Sequence, residues 1–271
     1  MHEYVDGAVL QHEDRLATEE PLEVRCGWAG TPPYRVAVTM RTPGHDFELA
    51  AGFLFAERTL GGHEALQSVA YCTDETLAPE QALNVVTVTL RSAPSRVPAA
   101  RYDGVSAGSS ACGVCGTQSI EDVLALTAMD VAVVEHPLVS PEVLRILPAR
   151  LRSQQRTFDK TGGLHAAGLF DADGESLEVR EDIGRHNAVD KVIGARILAG
   201  LETSAPVLAV SGRIGFEIVQ KAVSAGVAVL AAVGAPSSLA VDLAARSGLC
   251  VVGFLRPHRF VTYTAPERLG V

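Results

Sequence analysis

Two cysteines three positions apart lie in the middle of the chain, in the segment Cys112-Gly113-Val114-Cys115-Gly116. The glycine that follows each cysteine lets the backbone bend and present both thiols to solvent. The nucleophile in cysteine chemistry is the thiolate, and a position shortly before a helix N-terminus lowers the pKa of a thiol. The apolar spacing predicts such a helix over residues 119–129. The segment therefore has the features of a reactive thiol pair.

Several kinds of chemistry fit this pair, and its spacing does not choose among them. A structural zinc site needs two more ligands, but the sequence contains no second Cys-x-x-Cys, and His165 and His186 lack zinc-finger spacing. A thioredoxin-like redox pair should end a strand within a βαβ unit, whereas this pair follows a serine- and glycine-rich stretch. The other interpretations are a carrier of sulfur or acyl groups by thiolate attack, or no chemical role.

Polar and glycine residues follow three predicted apolar strands in the C-terminal half, at 211–213, 234–238 and 255–259. In open α/β sheets ligands bind beyond the carboxyl ends of the strands, where helix N-termini offer N–H groups to phosphate. The arginines of these segments could add bidentate contacts to an anion; they are Arg213, Arg256 and Arg259. Ordinary solvated turns have the same composition, so both interpretations stay open.

A further polar block, residues 181–191, lies at the start of a predicted helix. Asp182 or Asn187 could simply cap that helix. The block also supplies more donors than a cap requires, namely Arg185, His186, Asn187 and Lys191. His165, in the segment 161–167, could be a satisfied buried histidine or a site residue.

Length and composition bound the class of protein. The chain has 271 residues, of which 47% are hydrophobic and 20% charged, as expected for one large domain or two smaller ones. A formal charge of -9 argues against general DNA or RNA binding. No apolar run approaches the roughly 20 residues of a membrane helix, and the first residues lack a signal-peptide pattern. With five cysteines, an odd number, we expect a soluble, cytoplasmic protein with free thiols.

The order of predicted elements indicates an α/β protein. We expect a loose N-terminal arm of about twenty residues and a small α/β unit with strands at 36–40, 67–72 and 83–90. The turn-rich connector 92–98 places a domain boundary near residue 100. A hairpin at 166–170 and 177–180 is then followed by alternating helices and apolar strands, which predict a parallel sheet covered on both faces. The helices are expected at 187–198, 216–225 and 238–246, and the strands at 207–210, 227–233 and 250–255.

Taken together, these segments resemble the formate dehydrogenase accessory sulfurtransferase family (FdhD-type). The matching stretches span most of the chain in the order of the family, which makes the resemblance more specific than any single motif. They are residues 40–49, 52–54, 109–116, 161–167, 180–191, 211–213, 216–217, 235–240 and 253–256.

The resemblance implies a sulfur carrier required for formate dehydrogenase activity. A cysteine desulfurase would deliver persulfide sulfur to Cys112, with Cys115 as its partner, for transfer to molybdenum bis(molybdopterin guanine dinucleotide). No permanently bound metal is expected. The positions predicted to bind this cofactor are Phe254, Leu255, Arg256, Pro257, His258, Arg259, Ser211, Gly212, Arg213, His165, Arg185 and His186. A cofactor-binding chaperone that transfers no sulfur is the alternative.

The resemblance also implies a homodimer and a cytidine-deaminase-like, three-layer α/β/α domain over residues 101–271, preceded by a smaller N-terminal α/β domain over residues 1–100. A zinc-dependent deaminase would need His-x-Glu followed by Pro-Cys-x-x-Cys. The nearest match, His165-Ala166-Ala167, lacks the glutamate and comes after the cysteines, which argues against deamination. The family often has a basic residue where this chain has Thr117, after the last glycine of the cysteine segment.

Overall fold

The computed structural model describes residues 1–73, 82–97 and 138–270. The Cys112–Cys115 segment, the helix predicted over residues 119–129 and the boundary predicted near residue 100 lie outside these residues. The division into two domains therefore stays a prediction.

Residues 2–11 form an isolated β-hairpin where the sequence predicted a loose arm. Strands β1 (His2–Val5) and β2 (Ala8–Gln11) pair with each other in a two-stranded sheet. Asp6 and Gly7 connect them, and both have a positive φ, at 48° and 85°. The Asp-Gly dipeptide favours such a tight turn, but every strand residue of the hairpin is exposed.

A four-stranded mixed sheet follows, with the strand order β4-β3-β6-β5. Strand β3 pairs parallel with β6, and the two outer pairs are antiparallel. Alternate residues of β3, which the sequence did not predict, are buried: Leu22, Val24 and Cys26. The strands are β3 (Glu20–Trp28), β4 (Thr31–Arg41), β5 (Leu66–Tyr71) and β6 (Val85–Leu90).

The C-terminal part contains a six-stranded sheet with the order β12-β11-β10-β9-β7-β8. Strands β9, β10 and β11 pair parallel with one another, while β7 pairs antiparallel with β8 and β9, and β12 pairs antiparallel with β11. The predicted parallel sheet is thus the centre of a mixed one. Its strands are β7 (His165–Phe170), β8 (Ser176–Asp182), β9 (Val207–Val210), β10 (Val229–Ala232), β11 (Cys250–Arg256) and β12 (Arg259–Thr264).

Helices cover both faces of this sheet, because successive strand residues alternate between two hydrophobic clusters. Helices α4, α5 and α6 pack with Leu208, Leu230 and Val251 on one face, and α2 packs with Val229 and Val252 on the other. The helices are α1 (Asp46–Ala56), α2 (Pro141–Arg152), α3 (Phe158–Thr161), α4 (Arg185–Leu198), α5 (Phe216–Ser224) and α6 (Ser238–Arg246). Short 3-10 turns lie at His63–Ala65 and Pro266–Leu269.

Helix α1 lies between the four-stranded sheet and α4. Its apolar residues belong to the same hydrophobic cluster as residues of β3, β6, α4 and β9, and a helix that is apolar all round is stable only when it is buried. Gly52 of α1 meets the backbone of Asp190, and Gly194 of α4 meets the backbone of Glu48. The two helices therefore touch through their backbones at two points.

No helix within residues 1–73, 82–97 and 138–270 has both the length and the apolar character needed to cross a membrane.

Candidate functional site

The sheet brings the predicted site segments to one edge, here named the carboxyl edge and defined by the carboxyl ends of β8, β9, β10 and β11 and the start of β7. His165 lies opposite Asp182 in the pairing of β7 with β8, and Ala167 lies opposite Val210 in the pairing of β7 with β9. Because β7 runs antiparallel to β9, its first residue and the last residues of the parallel strands share this edge. His165 and the segments after β9, β10 and β11 are thus neighbours in space.

His165, Ser211, Gly212 and Arg185 form the tightest cluster at the carboxyl edge. The Nδ1 atom of His165 lies 3.4 Å from the hydroxyl oxygen of Ser211. A Cβ atom on Gly212 would lie 3.4 Å from that Nδ1 atom and 3.3 Å from Cδ of Arg185. The missing side chain of Gly212 therefore leaves room for the His165 ring and the Arg185 chain beside the backbone.

The loops after β9 and β10 pack backbone against backbone. The amide of Gly234 donates to the carbonyl oxygen of Gly212 at 3.1 Å, and the amide of Ile214 donates to the carbonyl oxygen of Ala235 at 3.1 Å. A Cβ on Gly234 would approach the Gly212 oxygen to 2.7 Å, closer than any stable contact. Glycine is required here, and the loop that carries exposed Arg213 is fixed by its neighbour.

Phe254 extends the carboxyl edge past β10 in an unusual backbone conformation. Its φ is 52°, its amide donates to the carbonyl oxygen of Gly234 at 3.0 Å, and its side chain is 39% exposed. The register of β11 against β12 shifts between Gly253 and Arg256. A bulky residue in the left-handed region is a strained arrangement that occurs most often at functional sites. This backbone conformation places the aromatic ring of Phe254 at the carboxyl edge.

The remaining residues predicted in this segment differ in their surroundings. Arg256 donates through one guanidinium nitrogen to the carbonyl oxygens of Val233 and Leu255, each at 2.8 Å. Leu255 is 1% exposed and packs in the hydrophobic cluster of the α2 face, so a ligand could meet only its backbone. Arg256 lies opposite Arg259 in the antiparallel pairing of β11 with β12. The exposed residues of that turn are Pro257, His258 and Arg259.

His186 differs from the other predicted site residues because its ring is engaged between helices. Its Nε2 atom lies 3.2 Å from the carboxylate of Glu217 on α5, and both side chains are 12% exposed. The pair links the first turns of α4 and α5. A ligand contact by His186 would therefore compete with this pairing.

Asp182 anchors the turn that presents Arg185, a role that the sequence did not predict. Neither Asp182 nor Asn187 is the N-cap of α4, because that position is Gly184, which has no side chain to cap the helix. The carboxylate of Asp182 instead accepts from the amide of Gly184 at 2.8 Å and from Asn187 Nδ2 at 2.9 Å, and it lies 2.7 Å from Lys191 Nζ. The carboxylate is fully buried, so these donors replace its water.

Thr42, which follows β4, joins the same network from the N-terminal part of the chain. Its amide donates to Asp182 at 3.2 Å, its hydroxyl accepts from the amide of Ile183 at 3.1 Å, and its carbonyl oxygen accepts from Lys191 at 2.9 Å. One sequence signal pointed to this contact, since both segments belong to the stretches that resemble the family. Spacing alone could not predict a bond across 140 residues.

Glu181 holds the segment that leads into His165. Its two carboxylate oxygens accept from the amides of Thr157 and Phe158, both at 2.8 Å. These amides lie at the start of α3, where a carboxylate satisfies otherwise unpaired donors. The turn before β7 is thereby tied to the end of β8. No local sequence signal marks Glu181 for this role.

The charge state of His165 follows from its surroundings. Burial lowers the pKa of His165, and the nearby guanidinium of Arg185 lowers it further, while Asp182 acts in the opposite direction. The net pKa lies below the ordinary value of 6.5. The lowered pKa favours the neutral ring of His165 at pH 7.

Two of the three thiols that the structure describes, Cys26 and Cys250, are poor candidates for the reactive cysteine. Burial raises the pKa of Cys26 to about 11 and the pKa of Cys250 to about 12, so both are protonated and inert at neutral pH. Cys72 is half-buried and lies 3.7 Å from a guanidinium nitrogen of Arg25. The predicted pair Cys112 and Cys115 lies outside the described residues. Within those residues, no three His, Cys, Asp or Glu side chains are grouped closely enough to hold a metal ion.

Comparison with known proteins gives consistent matches along nearly the whole chain. The model of the FdhD/NarQ family matches residues 17–270. The chain is 49% identical over 268 residues to "Sulfur carrier protein FdhD" of Streptomyces coelicolor, covering 98% of this chain and 93% of that protein. The protein of the same name from Mycobacterium tuberculosis is 46% identical over 266 residues, covering 96% and 94%.

A solved structure shares the fold. It is the crystal structure of a putative formate dehydrogenase accessory protein from Desulfotalea psychrophila, with a TM-score of 0.73 and 21% sequence identity. The match covers 99% of this chain and 96% of that one.

Proposed function

This chain belongs to the FdhD/NarQ family, and on that premise we propose that it is a sulfur carrier that uses Cys112 as a persulfide. The observation that carries the proposal is the near full-length similarity to relatives named sulfur carrier proteins. The chemistry of the segment agrees with it, because two thiols flanked by glycine suit reversible attachment of sulfur. Two of the other thiols, Cys26 and Cys250, are buried and protonated.

Loading of Cys112 is a sulfur exchange with a cysteine desulfurase. The Cys112 thiolate attacks the outer sulfur of the desulfurase persulfide, a new S–S bond forms at Cys112, and the donor cysteine leaves as a thiolate. No electron is gained or lost overall. The protein then acts as a sulfurtransferase with a cysteine persulfide intermediate.

Cys115 is proposed to release the sulfur at the acceptor. Its thiolate attacks the inner sulfur of the Cys112 persulfide, a disulfide forms between the two cysteines, and hydrosulfide departs with the bonding electrons. Hydrosulfide is the form that can bind to a metal. Two equivalents of a cellular thiol then reduce the disulfide, are themselves joined as a disulfide, and return both cysteines to their starting state.

The acceptor is proposed to be molybdenum bis(molybdopterin guanine dinucleotide), held at the carboxyl edge as a substrate. Three exposed arginines of that edge suit the phosphates of a dinucleotide, although the whole chain carries a formal charge of -9; they are Arg213, Arg256 and Arg259. The exposed ring of Phe254 offers a flat surface to an aromatic base. Delivery to formate dehydrogenase would follow, since the structural relative is named an accessory protein of that enzyme.

Three finer features belong to the same proposal and rest on the resemblance. They are assembly as a homodimer, action in the cytoplasm, and a relation in fold between residues 101–271 and the cytidine deaminases. The mixed sheet with helices on both faces is compatible with the last of these.

The proposal can be tested by maturation of formate dehydrogenase in cells that lack their own carrier. The wild-type chain and Cys72→Ala, a matched change of a half-buried thiol, are expected to restore formate oxidation. Cys112→Ala is expected to leave it at the background level. If Cys112→Ala restores formate oxidation as well as the wild type does, the protein acts as a cofactor-binding chaperone and transfers no sulfur.

A further inference from the structure

We propose that Ser211 is a positioning residue that holds the imidazole of His165 with its single proton on Nε2, so that the carboxyl edge offers a ligand oxygen a neutral hydrogen-bond donor at that point. The inference deepens the proposed function and rests on it only for the identity of the ligand. The arrangement of Ser211 and His165 can be measured without any ligand.

Backbone hydrogen bonds fix the position of Ser211. Its amide donates to the carbonyl oxygen of Ala166 at 2.9 Å, and its hydroxyl oxygen accepts from the amide of Ala166 at 2.9 Å. Ala166 follows His165 on β7, so these two bonds tie the residue after β9 to the start of β7. The hydroxyl oxygen is thereby held 3.4 Å from Nδ1 of His165.

The direction of the hydrogen bond between Ser211 and His165 depends on which ring nitrogen carries the proton. A serine hydroxyl has one proton to donate. Within the ranges that the structure describes, Nδ1 of His165 is the acceptor within reach of that proton. If the hydroxyl donates to Nδ1, that nitrogen carries no hydrogen, and the proton of the neutral ring must be on Nε2.

The charged groups around His165 favour the neutral ring. Arg185, at the start of α4, lies beside the ring across Gly212, and its positive charge opposes a second proton. Asp182, opposite His165 on β8, would favour that proton. Its carboxylate, however, already has four donors, from Thr42, Gly184, Asn187 and Lys191. Burial and Arg185 therefore outweigh Asp182.

The consequence is a donor of defined position and no charge. In the described part of the chain, no group bonds to Nε2 of His165, which leaves that N–H for a ligand. The arginines of the carboxyl edge would attract an anion over some distance, whereas a neutral N–H acts only on an oxygen placed in line with it. A phosphate or carbonyl oxygen of the guanine dinucleotide has the required chemistry.

The direct test is nitrogen-15 NMR of histidine-labelled full-length protein without ligand, with the His165 signals assigned by their loss in His165→Gln. At pH 7 we expect a neutral ring with the proton on Nε2. Ser211→Ala removes the hydroxyl donor, so the His165 ring is expected to become a mixture of both tautomers. A wild-type ring that is protonated on Nδ1 alone, or that is doubly protonated at pH 7, would overturn the inference.

Binding of guanosine diphosphate to the same proteins tests the use of the donor. Gln places an amide N–H near the position of Nε2, and Asn places it near Nδ1, so His165→Gln is expected to bind within about 3-fold of the wild type and His165→Asn about 10-fold more weakly. Equal losses in both variants would contradict a role for the Nε2 donor. If the wild type does not bind this nucleotide, the proposed ligand fails, and the NMR result alone decides the inference.

Discussion

The ammonium of Lys191 lies 2.7 Å from the carboxylate of Asp182, and both side chains are buried, at 1% and 0% exposure. The same ammonium donates to the carbonyl oxygen of Thr42 at 2.9 Å. One buried ion pair thus joins the end of β8, the first turns of α4 and the turn after β4. The turn between β8 and α4, which presents Arg185, therefore depends on a contact with the N-terminal part of the chain.

Lys191→Met is expected to destabilise the protein by about 3–5 kcal/mol, because it leaves the buried carboxylate of Asp182 without its cation. Denaturant unfolding followed by circular dichroism measures the loss. The control is Arg145→Met, which breaks an exposed pair with Glu142 and should cost less than about 1 kcal/mol. Similar losses for the two variants would show that the buried pair contributes no more to the free energy of unfolding than the exposed pair does.

Gly52→Ala and Gly194→Ala are each expected to destabilise the protein by about 3 kcal/mol or more, since the added methyl group would collide with backbone atoms of the opposite helix. Thermal and denaturant unfolding measure the effect. Gly61→Ala is the matched control, because nothing lies within 4 Å of the position of its Cβ. If Gly52→Ala unfolds at the same denaturant concentration as Gly61→Ala, the close approach of α1 and α4 is not present in solution.

The lowered pKa of Glu48 predicts that the protein loses stability in acid. Burial raises the pKa of Glu48, but hydrogen bonds from His45 and Arg180 and the charge of Arg180 more than offset this and hold the pKa at about 2. Because this pKa lies below the ordinary value of 4.5, the contribution of the ionised carboxylate is complete above pH 4.5 and declines as the pH falls toward 2. The full contribution is on the order of 2–3 kcal/mol.

The measurement is the free energy of unfolding of the wild type and of Glu48→Gln between pH 6 and pH 2. The difference between the two proteins should shrink as the pH falls below 4.5. A difference that stays constant over this range would contradict the lowered pKa of Glu48.

Substitutions of Phe254 can distinguish the effect of backbone strain on stability from the effect of the ring on ligand binding. Its φ of 52° costs a bulky residue about 1–3 kcal/mol, and its ring is partly exposed. Phe254→Gly should therefore keep or raise the free energy of unfolding, while the affinity for guanosine diphosphate falls. Phe254→Ala should lose the same affinity without gaining stability, because alanine keeps the Cβ. A strong loss of stability in Phe254→Gly would show that the ring is needed for folding.

The alternating helices and strands of the C-terminal part could be predicted closely. Helix α6 begins and ends at the predicted residues, because its apolar residues recur at helical spacing. Strand β9 has the predicted bounds, because it is a short apolar run between turn formers. Strand β12 was missed although its phenylalanine, valine, threonines and tyrosine all favour strands. It forms the edge of the sheet by pairing with β11. Pairing between strands is a tertiary effect that local composition does not encode.

The candidate site could be predicted as a set of segments but not as an arrangement. Glycine and arginine after apolar strands indicated the carboxyl edge, because parallel strands end on one side of a sheet. The contacts of Asp182 with Thr42 and of Glu181 with Thr157 depend on how distant segments pack. From the sequence, Asp182 could be interpreted as a helix cap, the common role of such a residue. Its burial and its contacts in the structure show that it is the centre of a hydrogen-bond network.

The most direct test of the central claim is the mass of the intact protein after incubation with a cysteine desulfurase and cysteine. The wild type is expected to gain the mass of sulfur, the gain should disappear on treatment with cyanide, and Cys112→Ala should show no gain, while Cys72→Ala behaves as the wild type. A wild-type protein that gains no sulfur, or a Cys112→Ala variant that gains as much, would contradict the assignment of Cys112 as the sulfur carrier.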